Sequence, residues 1–258
     1  MRFATIAAAV LLAAGAGPGW QAPAPEPITV SAAVSLTDVL QEVAAAYAQN
    51  GGGTVRFNFG ASNTLARQVV EGAPVDLFIS ADEAQMDVVA KAGLLDAASR
   101  ADLLANRLAV VVSPEHRRAF TSLRDLLDPA FKRIAIGDPA AVPAGVYAKQ
   151  YLERAGIWEQ VQSRLVPSAS VRAALAAVDA GSADAAVVYR TDTHAAKRAV
   201  VAWVAPIWEG PRIIYPAAIV KGRPAAAQAR RFLDFLRTAT ATRIFEKYDF
   251  IPVESRPR

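Results

Sequence analysis

The chain has 258 residues, of which 53% are hydrophobic and 20% charged, and its formal net charge is +4. This composition excludes an intrinsically disordered chain, and the length allows one large domain or two of moderate size. The 28 Lys and Arg residues are spread along the sequence without a basic block, which argues against a nucleic-acid partner.

The N-terminal segment has the pattern of an export signal. Arg2 precedes an apolar run over residues 3–17, which is shorter than the roughly 20 residues that a membrane-spanning helix needs. We predict that residues 1–24 form a signal peptide and a flexible leader, and that the mature protein is located in the periplasm. The sequence contains no cysteine, so we expect no disulfide, thiolate metal site or lipid-anchored cysteine.

Predicted strands and helices alternate from residue 28 onward. The sequence predicts strands over 28–34, 54–59, 75–80, 107–112, 133–136, 184–189, 200–204 and 213–220. It predicts helices over 36–48, 62–71, 81–93, 145–156, 170–181, 224–237 and 239–248. Alternation of this kind indicates an α/β fold, and the number of strands favours two lobes over one sheet.

Four junctions between a predicted strand and the following helix are small or polar, yet uncharged. They span residues 34–37, 60–64, 142–145 and 168–171. Each offers free backbone N–H groups at a helix N-terminus, where the helix dipole favours negative charge. If the junctions converge, they form a pocket of hydrogen-bond donors. Such a pocket suits a fully deprotonated oxyanion better than phosphate, which keeps a proton at neutral pH.

Helix capping is the alternative explanation for each junction taken alone. Ser35 and Asp38, three residues apart, form a capping-box pattern, and Ser, Thr and Asn are ordinary N-cap residues. From spacing alone, the hydroxyl of Ser35 either caps its own helix or faces a ligand.

Five segments of the chain carry a resemblance to a known family: AAVSLTDVLQEVAAAY, FNFGASNTLARQVVEGAPVDLFISAD, IGDPAAVPAGVYAKQYLERAGIW, SVRAALAAVDAGSADAAVVY and IFEKYDF. They resemble the periplasmic molybdate-binding proteins of ABC transporters. The resemblance extends from residue 28 to residue 250, and implies the two-lobed α/β fold of type II periplasmic binding proteins, each lobe a mixed sheet flanked by helices. We expect lobe I to comprise residues 27–109 and 216–258, lobe II residues 110–215, and the ligand cleft to lie between them.

The resemblance also implies the residues that bind the ligand. Ser35 and Ser62 would each supply a hydroxyl and a backbone N–H, Ala144 and Val171 a backbone N–H each, and Tyr189 its phenol. The ligand would be molybdate or tungstate, bound as an intact oxyanion whose molybdenum makes no direct bond to a side chain, and no cofactor is expected. The expected partner is the membrane permease of an ABC importer, and the expected state is a monomer whose lobes close on the anion.

Two positions depart from the pattern of the family. Relatives often have a serine-rich run where this chain has Gly60-Ala61-Ser62-Asn63, so that Ser62 and Asn63 are both candidates at this position. Arg190 follows Tyr189 where a smaller residue is expected. Its side chain either adds positive charge to the cleft or points to solvent.

Sulfate or another small tetrahedral oxyanion is the alternative ligand, and a hydrolase is the alternative class of protein. The run Thr191-Asp192-Thr193-His194 invites a catalytic triad, but the sequence has no Gly-x-Ser-x-Gly elbow. Both histidines, His116 and His194, lie among polar residues typical of loops. The sequence therefore favours a binding protein over an enzyme.

Side-chain metal ligands are not predicted either. Asp76, Asp82 and Asp87 lack the spacing of a calcium loop, and Asp82 is interpreted as a helix N-cap. Tyr147 and Tyr151 lie four residues apart on one helix, where we expect them to pack in the core instead of binding iron.

Overall fold

The computed structural model describes residues 27–253. The predicted signal peptide and leader, residues 1–24, lie outside the described residues, and so do residues 254–258. Among residues 27–253, no helix combines the length and apolar character needed to cross a membrane.

The described residues form eleven strands and eight α-helices. The strands are β1 (Ile28–Ala33), β2 (Val55–Gly60), β3 (Leu77–Ile79), β4 (Ala101–Asn106), β5 (Leu108–Val112), β6 (Ile134–Gly137), β7 (Leu165–Ser168), β8 (Ala185–Tyr189), β9 (Val200–Val204), β10 (Ile213–Ile219) and β11 (Ile251–Pro252). The helices are α1 (Thr37–Gln49), α2 (Ser62–Val70), α3 (Glu83–Lys91), α4 (Pro143–Arg154), α5 (Trp158–Val161), α6 (Val171–Asp179), α7 (Ala226–Phe235) and α8 (Ala239–Lys247).

The strands form two mixed sheets. In the first sheet the order is β11-β4-β10-β3-β1-β2, and in the second it is β7-β6-β8-β5-β9. Strand β1 pairs in parallel with β2 and β3, and β6 pairs in parallel with β7 and β8. The remaining pairs are antiparallel. Two mixed sheets flanked by helices confirm the predicted fold class, and each sheet contains one group of three parallel strands.

Within residues 27–253 the two sheets share no strand, and the chain passes between them twice. The first crossing is at Arg107, between β4 and β5, and the second is within residues 205–212, between β9 and β10. The first crossing lies two residues before the predicted lobe boundary at 109/110, and the second ends three residues before the one at 215/216; the division into lobes stays a prediction. Only Arg107 separates β4 from β5 at the first crossing, so the sequence has no room there for a run of turn-forming residues.

Burial explains why these segments form central strands. Every residue of β5, β8 and β10 is buried, which is typical of strands covered on both faces of a sheet. The helices bury one face each, as α1 does with Val39, Leu40, Val43 and Tyr47. This packing fixes the N-termini of the helices at the carboxyl ends of the parallel strands.

Three strands and one helix are not predicted by the sequence. Strand β4 has the mixed pattern ADLLAN, β7 contains Pro167, and β11 has only two residues. Helix α5 is a single turn. Each is too short or too irregular to produce a periodic apolar pattern.

Candidate functional site

A small pocket lies where the parallel strands of both sheets end. The empty space inside it, including its opening to solvent, is about 210 Å³. Carboxyl ends of parallel strands are the usual ligand sites of α/β folds. The lining residues are Ala33, Val34, Ser35, Gly60, Ala61, Ser62, Ala81, Val142, Pro143, Ala144, Val171 and Tyr189.

The pocket brings together all five residues that the sequence nominates for the site. Ser35 and Ser62 come from the first sheet's side, and Ala144, Val171 and Tyr189 from the second. Asn63, the alternative to Ser62, is not among the lining residues that the structure describes. The four strand-to-helix junctions therefore converge on one small space.

Ser35 does not cap a helix. It lies in the middle of a 3-10 turn, Val34–Leu36, and the N-cap position of α1 is Leu36. Ser35 Oγ lies 3.0 Å from Tyr215 Oη, and both side chains are buried. The capping-box interpretation of Ser35 and Asp38 is therefore wrong, because Ser35 lies within a 3-10 turn and α1 starts one residue later than predicted, with Leu36 at its N-cap.

Ser62 is the first residue of α2 and likewise does not cap it. The N-cap position is Ala61, and Ser62 Oγ instead accepts a hydrogen bond from the backbone N–H of Ala81 at 2.9 Å. A hydroxyl oxygen that accepts from an N–H still has its own hydrogen to donate. Since Ser62 lines the pocket, that hydrogen is available to a bound anion.

Helix α4 presents its first available N–H group to the pocket. Pro143 occupies the first helical position and has no N–H, so Ala144 is the first residue of α4 that offers one. A Cβ atom on Gly145 would overlap the carbonyl oxygen of Gly137, the last residue of β6. Glycine at position 145 is therefore what lets the start of α4 rest directly on the end of β6.

Helix α6 presents Val171 in the same way. Ser170 is the N-cap residue, and its hydroxyl accepts from the backbone N–H of Ala173 at 3.2 Å. The N–H of Val171 belongs to the first turn and has no partner within the helix. In this junction the capping explanation holds for Ser170, and the neighbouring Val171 lines the pocket.

Tyr189 adds a buried phenol at the end of β8. Its side chain is 1% exposed, and Tyr189 Oη has no hydrogen-bond partner among the residues that the structure describes. Burial holds the pKa of Tyr189 well above the ordinary 10 of a phenol, so the group keeps its proton at neutral pH. An anion in the pocket would give this hydroxyl an acceptor.

The arginines next to lining residues are paired with carboxylates. Arg172 follows Val171, and its Nε lies 2.6 Å from Asp192 Oδ1 while its Nη2 lies 2.7 Å from Asp38 Oδ2. No Lys or Arg is among the described residues that line the pocket. The wall of the pocket therefore offers neutral dipoles to a ligand and no free cation.

Arg190 has a partner that the sequence does not predict. Its Nη2 lies 2.9 Å from Asp249 Oδ2, and the same carboxylate oxygen lies 2.6 Å from His194 Nε2. Arg190 is thus neither a pocket residue nor a side chain free in solvent. His194 is engaged with Asp249 as well, and it is not among the lining residues described.

Residues weighed for enzymatic or metal chemistry have structural roles. Asp82 accepts a hydrogen bond from Gln85 N at 2.9 Å, which confirms the predicted cap of α3. Tyr151 stacks on Trp203 with ring centroids 5.8 Å apart, and Tyr147 packs against the hydrophobic core, which confirms the predicted packing. Among residues 27–253, no group of three or more His, Asp and Glu side chains is placed to hold a metal ion.

Two residues behind the pocket are missed by the sequence analysis. Tyr215 is fully buried beside Ser35, and Asn106 Nδ2 donates to Tyr215 Oη at 3.1 Å. The available signal was weak: a tyrosine inside the apolar run of β10, and an asparagine between two apolar strands. A buried polar side chain in such a run needs a partner, but the sequence does not say which.

Comparison with known proteins gives consistent matches along the chain. A family model described as bacterial extracellular solute-binding protein matches residues 28–251. The molybdate-binding protein ModA of Escherichia coli (strain K12) is 40% identical over 230 residues, covering 86% of this chain and 88% of that protein. These matches confirm the resemblance predicted from the sequence.

Solved structures resemble this fold closely. The periplasmic molybdate-binding protein of Azotobacter vinelandii has a TM-score of 0.80 and 26% identity, covering 90% of this chain and all (100%) of that one. The sulfate-binding protein SubI of Mycobacterium tuberculosis H37Rv has a TM-score of 0.76 and 21% identity, covering 89% and 88%. The second likeness extends to the fold alone.

Proposed function

The chain belongs to the bacterial extracellular solute-binding protein family, and from this premise we propose that it captures molybdate for an ABC importer. The observation that carries the proposal is the neutral pocket in which Ser35, Ser62, Ala144, Val171 and Tyr189 meet. Relatives named as molybdate-binding proteins support the choice of anion. The family is one of solute-binding proteins, and we assign no catalytic residue.

The pocket matches the chemistry of a tetrahedral oxyanion. Three hydroxyls and the four backbone N–H groups of Ser35, Ser62, Ala144 and Val171 make about seven donors. Hydrogen bonds to a charged group contribute roughly 1.5–3 kcal/mol each, so the gross gain is on the order of 10–20 kcal/mol. Association entropy opposes binding by roughly 4–15 kcal/mol, and desolvation of the anion opposes it further. A dissociation constant between micromolar and nanomolar follows when the pocket is closed and dry.

Cavity size is the proposed basis of selectivity. The N–H groups are held by helix termini packed on strand ends, so their positions cannot contract around a smaller anion. Molybdate and tungstate, which are nearly equal in size, would both reach all donors. Sulfate is smaller and would leave some donors without an acceptor, and an unmet buried donor costs about 1–3 kcal/mol.

Delivery of the anion completes the proposal. The protein would act in the periplasm as a monomer and pass its ligand to a membrane permease. The support for this part is the family assignment and the names of relatives. Opening at the two crossings between the sheets, Arg107 and residues 205–212, would release the anion.

Thermal shift assays with four anions test the proposal. At 1,000 times its dissociation constant, a ligand raises the free energy of unfolding by about 4 kcal/mol. We expect large and similar shifts with molybdate and tungstate, a smaller shift with sulfate and the smallest with phosphate. Equal shifts with sulfate and molybdate would contradict selection by size, and a preference for sulfate would identify the alternative ligand.

A further inference from the structure

A second cavity, which we call the α4 groove, lies at the end of helix α4 that points away from the pocket at the strand ends. Its volume is about 380 Å³, within the roughly 300–1,000 Å³ of clefts that hold small-molecule ligands. Ala144 at the start of α4 lines the pocket and Arg154 at its end lines the groove, so the two are roughly 15 Å apart along the helix axis. Three aromatic and three charged side chains line the groove: Tyr151, Trp203, Trp208, Arg124, Arg154 and Glu209.

The aromatic side chains give the groove an apolar wall that is only partly covered. Tyr151 of α4 and Trp203 of β9 stack with ring centroids 5.8 Å apart and planes inclined at 24°. Trp208, in the second crossing between the sheets, is 84% exposed. An aromatic side chain buries about 150–250 Å² when it packs, so Trp208 leaves a large apolar surface uncovered. Because all three rings line one cavity, a planar ring bound there would cover that surface.

The two arginines give the groove a positive charge. Arg154 Nη1 donates to the backbone carbonyl oxygens of Glu209 at 3.0 Å and Gly210 at 3.4 Å. Arg124 Nη2 lies beside Gly156, just past the end of α4, where the helix dipole favours a cation. Within residues 27–253, neither guanidinium forms an ion pair with a carboxylate. Both can therefore bind an anion.

Glu209 is the one carboxylate among the described residues that line the groove. Tyr151 Oη donates to Glu209 Oε2 at 3.4 Å. Burial, together with the carboxylate of Glu209 beside it, raises the pKa of Tyr151 to about 12, so the phenol keeps the proton that it donates. Glu209 thus has a partner inside the groove. Two guanidiniums against one carboxylate leave one positive charge for a ligand.

We propose that the α4 groove binds a small aromatic anion, a planar ring system that carries a carboxylate or a phosphate group. Its ring would pack on Trp203 and Trp208, and Arg124 and Arg154 would bind its anionic group. Guanidinium suits both parts of such a ligand, because its planar fork bonds an oxyanion and its face stacks on aromatic rings. The inference goes beyond the proposed function and does not rest on it.

Calorimetric titration of the wild-type protein with matched probes tests the class of ligand. The compound β-naphthoate has a ring and a charge, β-naphthamide has the same ring without the charge, and cyclohexanecarboxylate has the charge without an aromatic ring. We expect one β-naphthoate per chain with a dissociation constant of about 0.1 mM. Both other probes should bind about fivefold more weakly or worse, since each loses either the charge-assisted hydrogen bonds or the aromatic contacts. A parallel titration with β-naphthyl phosphate shows which anionic group the groove prefers.

Variants of two exposed side chains test the location of the site. Trp208→Ala removes part of the aromatic wall and Arg124→Gln removes a charge, and each should weaken β-naphthoate binding about fivefold. Ile207→Ala and Arg117→Gln are the matched controls, because both residues are exposed and neither is among the described residues that line the groove. The controls should keep wild-type affinity for β-naphthoate. All four variants should bind molybdate as the wild type does.

The outcomes separate this inference from the proposed function. If neither naphthyl anion binds the wild-type protein, or if molybdate displaces both, the inference is overturned, whether or not molybdate itself binds. Affinity for β-naphthoate that is unchanged in Trp208→Ala or in Arg124→Gln overturns the location, and equal binding of β-naphthamide overturns the class of ligand. Self-association of the wild type that Trp208→Ala abolishes, without binding of either anion, would make the groove an interface between copies of the chain instead.

Discussion

Replacing Tyr189 by Phe should change stability and affinity in opposite directions. Tyr189 Oη is buried without a hydrogen-bond partner in the described part of the chain, and the side chain is 1% exposed. A buried hydroxyl without a partner costs about 1–3 kcal/mol. Phenylalanine keeps the ring and removes that group. We therefore expect the ligand-free variant to be at least as stable as the wild type, with a gain of up to about 1–3 kcal/mol.

Affinity should fall in the same variant. The phenol is expected to donate to the bound anion, and a hydrogen bond to a charged group contributes about 1.5–3 kcal/mol. The dissociation constant for molybdate should therefore rise by about 10- to 150-fold. Urea denaturation of the ligand-free protein measures the first quantity, and isothermal titration calorimetry measures the second.

One combination of results would refute this reasoning. If Tyr189→Phe destabilises the ligand-free protein and leaves molybdate affinity unchanged, the phenol has a structural role and does not contact the anion. Tyr248→Phe is a suitable control, because Tyr248 is not among the described lining residues and its hydroxyl donates to Glu42 at 2.9 Å. That variant should lose a little stability and keep its affinity.

Three other changes are expected to have measurable effects. Gly145→Ala should lower the free energy of unfolding by about 1–3 kcal/mol and weaken molybdate binding, because the new Cβ overlaps Gly137 O at the start of α4. A melting temperature and a molybdate affinity equal to those of the wild type would contradict the close approach of α4 to β6. Asp38→Asn removes the ion pair between the two sheets' helices at Arg172. Such partly exposed ion pairs contribute about 0.2–1 kcal/mol. In stopped-flow experiments at low salt, molybdate should therefore dissociate about 1.4- to 5-fold faster from Asp38→Asn than from the wild type. An unchanged dissociation rate would show that the Asp38–Arg172 pair does not stabilise the closed state. Burial raises the pKa of Asp192 from 3.8 to about 6, although Arg172 opposes the shift. Between about pH 4 and 6 the folded protein therefore keeps a proton that the unfolded chain releases, and the free energy of unfolding should fall over this range by up to about 3 kcal/mol. Denaturation of Asp192→Asn at the same pH values should not show this fall. An equal fall in the wild type and in Asp192→Asn would contradict the assignment to Asp192.

The elements that sequence analysis finds are those with a clear period or a long apolar run. Strands β5, β8 and β10 are buried throughout, so their apolar character is continuous and easily recognised. Strand β4 is missed because only part of it is buried and its pattern is mixed. Neither glycine nor proline marks the crossing at Arg107, so local sequence does not locate it.

The site divides in the same way. Residues at strand-to-helix junctions can be nominated from local sequence, and Ser35 and Ser62 both line the pocket. What local sequence cannot give is the direction in which a hydroxyl points. Ser35 forms a capping-box pattern with Asp38, yet its partner is Tyr215, 180 residues away. Contacts of that kind arise only when β10 returns to the first sheet.

Isothermal titration of the wild-type protein and of Ser62→Ala with molybdate tests the central claim most directly. We predict one anion per chain with a dissociation constant below about 1 µM, and binding weaker by about tenfold or more in Ser62→Ala, whose ligand-free melting should remain cooperative. No binding to the wild type, or equal binding to both proteins, would contradict the claim that this pocket captures the anion.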